Sequence, residues 1–357
     1  MKQKKNEGVK EFKAKVTELK NKLNNGTYIG KSYETVMTLA KQHIEVKHID
    51  GITSDRSYKR DLETLEQIQK TCANFCNMPI QKVTISHIED AKKEIRKYAN
   101  SVIDKIWRLL EKTFNMACSP SRKILIYNIM LDENLKKPIS EKKTKKVKSL
   151  TKDELKKLND ILDNQERNHK YRNIVKMQII SGMRIGEVLA RSKDDYNKST
   201  KKFYVHNTLT QDKNYNIILG NHTKTYNKRT QIDEGERNLP LDNKFLYGLI
   251  EIIEEQCNKK VKNIHNLLFW NYGKNTFITP NEVNLWLKRI NEKYKISKDG
   301  LSTHRLRHTA LTYWKVSGID LSVIQYLAGH VEGSSITEAV YIDIPEEYIN
   351  KELKKVI

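Results

Sequence analysis

The segment THRLRHTALTYW, residues 303–314, holds two histidines and two arginines between positions 304 and 308 and has no acidic residue. A helix would place His304, Arg307 and His308 on one face, while apolar side chains such as Leu306 pack on another. An arginine fork beside an imidazole suits a phosphate with two non-bridging oxygens. Zinc fits this histidine pair poorly, because the glutamate of a zinc helix is missing and no third ligand stands out.

The overall charge also points to a polyanionic partner. The 357 residues include 66 Lys and Arg against 44 Asp and Glu, a formal net charge of +22. Such an excess is typical of proteins that bind nucleic acid, although RNA binding would explain it as well as DNA binding. No apolar run approaches a membrane span and the N-terminus lacks a signal-peptide core, so we expect a cytoplasmic protein without a membrane partner. The richness in Lys, Asn and Ile is typical of an AT-rich bacterial genome, and a DNA partner would make the protein nucleoid-associated.

Periodicity divides the chain into two domains joined by a linker. Residues 1–30 predict an N-terminal helix, and residues 31–138 predict an all-helical domain that includes a capping box from Ser86 to Glu89. Residues 139–150 form a lysine-rich linker. A second capping box at Thr151 and Glu154 starts the domain at 151–357, which mixes helices with short antiparallel strands. The predicted fold class is therefore mainly α with a small antiparallel β-sheet.

The linker is either a solvated spacer or a strap along a phosphate backbone, and both interpretations can hold together. Its lysines would release counterions on contact with DNA. These residues are Lys142, Lys143, Lys145, Lys146 and Lys148.

Two further motifs carry polar groups at helix ends. In SGMRIGEVLA, residues 181–190, Arg184 begins a helix after a Ser-Gly break, where backbone N–H groups favour an anion. Glu187 lies one turn later and can pair with Arg184 to hold its guanidinium in place. The alternative interpretation is an ordinary ion pair on the surface of a helix. In LAGH, residues 327–330, a helix ends at glycine and His330 follows, either as a cap or as a functional group.

These motifs, with TKT and VY, occur in the order and rough spacing of the tyrosine recombinases, also called phage integrases. The chain resembles most the integrases of conjugative transposons and temperate phages. The resemblance covers the second domain well and implies an all-helical core-type DNA-binding domain followed by a mixed α/β catalytic domain. Residues 1–30 then resemble only the helix that trails an arm-binding module.

The resemblance also implies the roles of individual residues. Arg184, Arg307 and His330 would bind the non-bridging oxygens of the scissile phosphate, and Glu187 would support the first arginine. Lys224 would protonate the leaving 5′-oxygen, and His304 would assist proton transfer or hold the phosphate. The nucleophile would be Tyr341, with Tyr348 as the alternative. The full implied set is Arg184, Glu187, Lys224, His304, Arg307, His330 and Tyr341.

This chemistry needs neither a metal nor another cofactor. The implied partners are double-stranded DNA attachment sites, a homo-tetramer on two duplexes, and accessory excision or DNA-bending proteins. The segment after Tyr341 would pass to a neighbouring protomer, or else form a plain packing helix. The alternative functions are a type IB topoisomerase-like nicking-closing enzyme, a non-catalytic DNA-binding protein and a metal-dependent nuclease.

Overall fold

The computed structural model describes residues 10–18, 20–21, 29–142, 148–212, 214, 216–228, 230–259 and 263–330. The chain divides into two compact units, Met1–Lys145 and Lys146–Ile357. Helices predominate in both, and short antiparallel strands occur in the second, so the predicted fold class is confirmed. None of the described helices is both long enough and apolar enough to cross a membrane.

The first unit is built from helices. They are α1 (10–18), α2 (Val36–Ile49), α3 (Asp55–Thr71), α4 (Ala73–Cys76), α5 (Ile85–Ile95) and α6 (Asn100–Cys118), with 3-10 turns at Ile80–Lys82 and Ile129–Leu131. Helix α6 buries Ile106, Leu109 and Phe114, which recur at helical spacing. This apolar face packs against α2 and α3, so one core holds the unit together.

Helix α5 begins earlier than its predicted capping box. Its N-cap is Thr84, whose backbone N–H donates to Nδ1 of His87 over 3.2 Å. Ser86 therefore lies inside the first turn, and Glu89 instead binds Lys92 at 2.6 Å. The predicted Ser86–Glu89 capping box is wrong because a threonine two residues earlier takes the capping position.

The second unit contains seven helices in its described residues and a group of strands between the third and fourth of them. The helices are α7 (Lys152–Asn164), α8 (Arg172–Ser181), α9 (Ile185–Leu189), α10 (Gly248–Cys257), α11 (Pro280–Tyr294), α12 (Thr303–Val316) and α13 (Leu321–Ala328). The strands are β1 (Tyr196–Asn197), β2 (Lys202–Val205), β3 (Leu209–Gln211), β4 (Ile217–Leu219), β5 (Tyr226–Asn227), β6 (Ile232–Asp233) and β7 (Arg237–Pro240).

The strand pairs among the described residues of the second unit are all antiparallel. Strands β1, β2 and β7 form one sheet in that order, and β3–β4 and β5–β6 form two separate hairpins. In β7 the side chains alternate between buried and exposed, beginning with buried Arg237. The strand therefore carries a charged side chain on the same face as buried Leu239, and this places the charge near the functional site.

The described ends of the predicted linker are attached to the two units. In the first unit, the Glu141 N–H donates to the carbonyl of Arg96 over 2.9 Å. In the second, the Leu150 N–H donates to Oγ1 of Thr309 on α12 over 2.9 Å. The predicted capping box at the start of α7 is confirmed, since Thr151 and Glu154 exchange both side chain-to-backbone hydrogen bonds.

Two glycines in left-handed conformation end the helices that approach the site. Gly182 ends α8 with φ +60°, and a Cβ there would lie 3.1 Å from both Leu311 and Trp314 on α12. Gly329 ends α13 with φ +63°. Because glycine alone adopts this conformation without steric cost, these residues fix where α9 begins and where His330 emerges.

Candidate active site

The site starts from the short connection between α8 and α9. Arg184 is the N-cap residue of α9, and its Nη1 donates to Oε1 of Glu187 over 2.9 Å. The backbone N–H of Arg184 also donates to Glu187, over 3.1 Å to Oε2. Glu187, which is fully buried, therefore accepts from both the side chain and the backbone of Arg184, the pairing expected from their spacing. The arrangement holds the Arg184 guanidinium in one orientation.

A second arginine, which the sequence analysis missed, binds the same carboxylate. Nη2 of Arg237 donates to Oε2 of Glu187 over 2.8 Å, and both side chains are buried. A signal was available in ERNLPL, residues 236–241, because strand alternation puts Arg237 on the same face as apolar Leu239. A charge on the buried face of a strand requires a buried partner.

The carbonyls at the end of α13 are the second feature that gathers arginines. Nε of Arg237 donates to the Leu327 carbonyl over 2.8 Å, and Nη2 of Arg184 donates to the Gly329 carbonyl over 2.9 Å. These carbonyls have no acceptor role within the helix and form the negative end of its dipole. Cations are therefore stabilised at this helix end, immediately before His330.

Arg307 supplies the third guanidinium from the middle of α12. Its Nη1 donates to the carbonyl of Gly182 over 2.8 Å, and its Nη2 donates to that of Ala328 over 2.8 Å. The same Nη2 lies 2.7 Å from Nε2 of His330. Arg307 therefore joins the end of α8 to the end of α13, and His330 accepts a hydrogen bond from it as a neutral imidazole.

Charge in this pocket is unbalanced towards the positive. Burial opposes ionisation of Glu187, but the charges of Arg237, Arg184 and Arg307 lower its pKa to about 2. Burial, followed by the charges of Arg307, Arg184 and Arg237, lowers the pKa of His330 to about 3. At neutral pH three guanidinium groups thus face one carboxylate and a neutral imidazole. The pocket suits an added anion.

His304 and Lys224 lie beside this group. Partial desolvation lowers the pKa of His304, and the charges of Arg307 and Lys224 lower it further. Both His304 and Lys224 are exposed at the surface. The structure therefore brings six of the predicted residues into one neighbourhood: Arg184, Glu187, Lys224, His304, Arg307 and His330.

Lys224 is carried by a turn that precedes the β5–β6 hairpin. The backbone N–H of Thr223 donates to Oδ2 of Asp233 over 2.6 Å, and its hydroxyl binds the other oxygen of that carboxylate. A Cβ at Gly235 would lie 2.2 Å from the hydroxyl of Thr223, so only glycine allows this close approach. The residue before Lys224 is thus fixed to the far strand of the hairpin.

Arg305, the other arginine of the opening segment, lies outside the pocket. Its Nε donates to the Lys148 carbonyl over 2.7 Å, and its Nη1 donates to Oγ of Ser297 over 2.6 Å. Two residues along a helix differ by about 200°, so Arg305 and Arg307 must face opposite sides. Arg305 joins the start of the second unit to α12. Of the two arginines in the opening segment, only Arg307 lies in the pocket.

Several predicted residues cannot be located with the rest. Tyr341 and Tyr348, together with the C-terminal segment, lie outside the described residues, as do the linker lysines Lys143, Lys145 and Lys146. Lys142 is exposed in the first unit and Lys148 is exposed in the second.

A known bacterial protein shares part of this sequence. The chain is 29% identical over 204 residues to the prophage ps2 probable integrase of Lactococcus lactis subsp. lactis strain IL1403, covering 56% of this chain and 51% of that protein. This chain thus spans about half the length of the curated relative it matches.

Solved integrase structures share the fold. The Tn1549 transposon integrase in complex with a circular intermediate DNA superposes with a TM-score of 0.70 at 16% identity, covering 90% of this chain and 99% of that chain. A lambda integrase tetramer bound to a Holliday junction gives a TM-score of 0.64 at 14% identity, with coverages of 93% and 87%. The model of the phage integrase family matches residues 148–347, which is more than half of the sequence, and this chain therefore belongs to the phage integrase family.

Proposed function

We propose that this chain is a site-specific DNA recombinase that integrates or excises a mobile element or prophage. It would cleave and rejoin DNA through a 3′-phosphotyrosine bond. Membership of the phage integrase family supports the proposal. The single observation that carries it is the convergence of Arg184, Arg307 and His330 at the end of α13.

The proposed chemistry starts with the pocket as a phosphate site. Arg184 and Arg307 bind the non-bridging oxygens and offset the charge that grows in the pentacoordinate transition state. The pocket is accessible from outside, since the side chain of Arg184 is 21% exposed and that of His304 is also exposed. His330 is neutral, so its ring can donate one hydrogen bond to a phosphate oxygen without adding a charge.

Tyr341 is the proposed nucleophile. Its hydroxyl attacks the phosphorus and passes its proton to His304, the bond from phosphorus to the 5′-oxygen breaks, and Lys224 gives a proton to the leaving oxygen. The 3′-phosphotyrosine keeps the energy of the phosphodiester. A 5′-hydroxyl from another strand then attacks the same phosphorus and releases the tyrosine. His304 assists the proton transfers beside Lys224.

The proposed partners are duplex attachment sites and further copies of the chain. A lambda integrase with this fold was solved as a tetramer on a Holliday junction, and this supports a homo-tetramer on two duplexes. Residues 31–138 would form a core-type DNA-binding domain, with residues 1–30 as a remnant of an arm-binding module. The lysines of 139–150 would contact phosphates, the segment after Tyr341 would reach a neighbouring protomer, and accessory excision or bending proteins would assist.

Covalent trapping tests the proposal. The substrate is a nicked duplex made from the DNA that flanks the gene at the ends of its element, and unrelated DNA is the control. We expect a protein–DNA adduct that forms in EDTA. Binding without an adduct would instead support a non-catalytic DNA-binding protein, and cleavage that requires a metal would support a nuclease. A reaction that contains two attachment sites distinguishes the remaining alternative. Strand exchange between the sites would support a recombinase, and DNA relaxation alone would support a topoisomerase-like enzyme.

A further inference from the structure

Arg237 is the least accessible of the three arginines in the pocket. The residue is 3% exposed. Its Nε binds the Leu327 carbonyl over 2.8 Å, its Nη1 binds that of Gly235 over 2.7 Å, and its Nη2 binds Glu187 over 2.8 Å. Every nitrogen of the guanidinium therefore has a protein acceptor. A side chain in this position is suited to organising its neighbours rather than to meeting DNA.

The two groups that Arg237 joins are the supports of the phosphate-binding residues. Glu187 orients Arg184 from α9, and the carbonyls at the end of α13 orient both Arg184 and Arg307. Arg237 on β7 therefore joins these two supports. It lies 50 residues from Glu187 and 90 residues from Leu327 in the sequence.

Two more contacts restrict the end of α13 around this arginine. A Cβ at Gly329 would lie 2.5 Å from Nη1 of Arg237, so the backbone passes directly over the guanidinium. Next along the strand, the Asn238 N–H donates to the hydroxyl of Tyr326 over 3.1 Å. The position of His330 is thus set by the packing of α13 on β7.

We infer that Arg237 is a positioning residue for DNA strand cleavage, acting through Glu187 and the end of α13 rather than on the phosphate. The inference rests on the proposed recombinase function. Arg237 holds the carboxylate that orients Arg184 and holds the helix end that presents His330 to Arg307. Protein contacts thereby hold the phosphate-binding groups in place, which is the condition for electrostatic transition-state stabilisation.

Ionisation of Glu187 gives this role a measurable signature. The charged groups that face its carboxylate are Arg184 at the start of α9, Arg237 on β7 and Arg307 on α12, with Arg191 further along its own segment. The titratable imidazole of His330 after α13 also interacts with it. Without Arg237, burial of Glu187 is opposed by fewer positive charges, so its pKa rises. A protonated Glu187 accepts less well from Arg184, and cleavage should therefore be lost at a higher pH than in the wild type.

The experiment measures single-turnover cleavage of the nicked duplex across pH, together with equilibrium DNA affinity and thermal unfolding. We expect Arg237→Met to lower the cleavage rate on the order of a hundredfold, because the donors that it orients would no longer be preorganised. DNA affinity should stay within about threefold, because the side chain is buried. The acid limb of the rate profile should move to higher pH. Arg237→Lys, which keeps the charge, should restore the position of that limb but only part of the rate.

Matched variants separate positioning from loss of folding. Arg172→Met removes another arginine of the second unit, one that pairs with Asp163 and Glu255. It should lower stability without moving the pH profile. Combining Arg237→Met with Glu187→Gln removes both charges of the buried pair, and the double variant should cleave no more slowly than the slower single variant. If Arg237→Met alone does not fold, Arg237→Lys and the double variant carry the same test.

The outcomes distinguish this inference from the recombinase proposal. No adduct from the wild-type chain would overturn the proposal and the inference with it. An adduct from the wild type, with an equal rate in both Arg237 variants or an unmoved acid limb in Arg237→Met, would overturn the inference alone. Multiplying effects in the double variant would also overturn it, since the two residues would then act independently.

Discussion

Arg307 and His330 meet at 2.7 Å between Nη2 and Nε2, although 23 residues separate them in the chain. The same guanidinium binds the carbonyls of Gly182 and Ala328. One side chain therefore joins the ends of two helices to the imidazole that follows the second helix. These protein contacts hold the guanidinium beside the imidazole, an arrangement suited to a phosphate.

Removal of either phosphate-binding arginine should slow cleavage much more than it weakens DNA binding. We expect Arg184→Ala or Arg307→Ala to lower the single-turnover rate on the order of a hundredfold or more, because each would remove a preorganised transition-state donor. The measurement is the rate of adduct formation at saturating enzyme. Equal losses of rate and of affinity would assign these side chains to docking instead.

Substitution of Lys224 should be rescued by a better leaving group. Lys224→Ala should slow cleavage of ordinary DNA by about 10²- to 10⁴-fold, the usual range for loss of a general acid. A substrate with sulfur in place of the bridging 5′-oxygen leaves as a thiolate that needs no proton, so the variant should cleave it at nearly the wild-type rate. A variant that is equally slow on both substrates would exclude the proton-donor role.

Much of this arrangement could be predicted from local sequence signals. Thr151 and Glu154 predicted the start of α7, and Gly182 and Gly329 marked helix ends that the structure places in left-handed backbone. These signals succeed because capping and glycine conformation depend on a few neighbouring residues. The same rule fails at Ser86, because Thr84 competes for the same cap.

Tertiary partners were harder to predict. Arg237 lies in a short strand 50 residues from Glu187, and no local pattern identifies Glu187 as its buried partner. Arg305 and Arg307 are the same residue type two positions apart, yet one binds the chain at Lys148 and the other binds His330. Helical geometry separates them onto different faces, but only the packed unit decides which face meets the site.

Gly329 provides a test of the crowding at the end of α13. Gly329→Ala would strain a backbone at φ +63° and bring a Cβ to 2.5 Å from Arg237. Gly318, with φ +86° and nothing within 4 Å, is the matched control. Both alanine variants should lose about 1 kcal/mol of unfolding free energy from the left-handed backbone. Only Gly329→Ala should also slow cleavage, by roughly tenfold or more. Equal cleavage rates in the two variants would argue against a close fit around Arg237.

Acid pH should destabilise the folded chain through His330. Its pKa is lowered from 6.5 to about 3, so between these values the unfolded chain holds a proton that the folded chain lacks. The free energy of unfolding is therefore not reduced by His330 above pH 6.5. It falls as the pH decreases from 6.5 towards 3, by at most about 1.4 kcal/mol per pH unit. Denaturant unfolding at pH 7.5 and pH 5 should show a shallower loss for His330→Gln than for the wild type. Identical slopes would mean that His330 is not held neutral.

The most direct test of the central claim is to identify the residue that becomes attached to DNA. The wild-type chain is trapped on the nicked duplex, digested, and the nucleotide-bearing peptide is sequenced by mass spectrometry, with Tyr341→Phe as the matched control. We predict that the nucleotide is on Tyr341 and that Tyr341→Phe binds DNA with nearly unchanged affinity but forms no adduct. Attachment to Tyr348, or an adduct that persists in Tyr341→Phe, would contradict the assignment of the nucleophile.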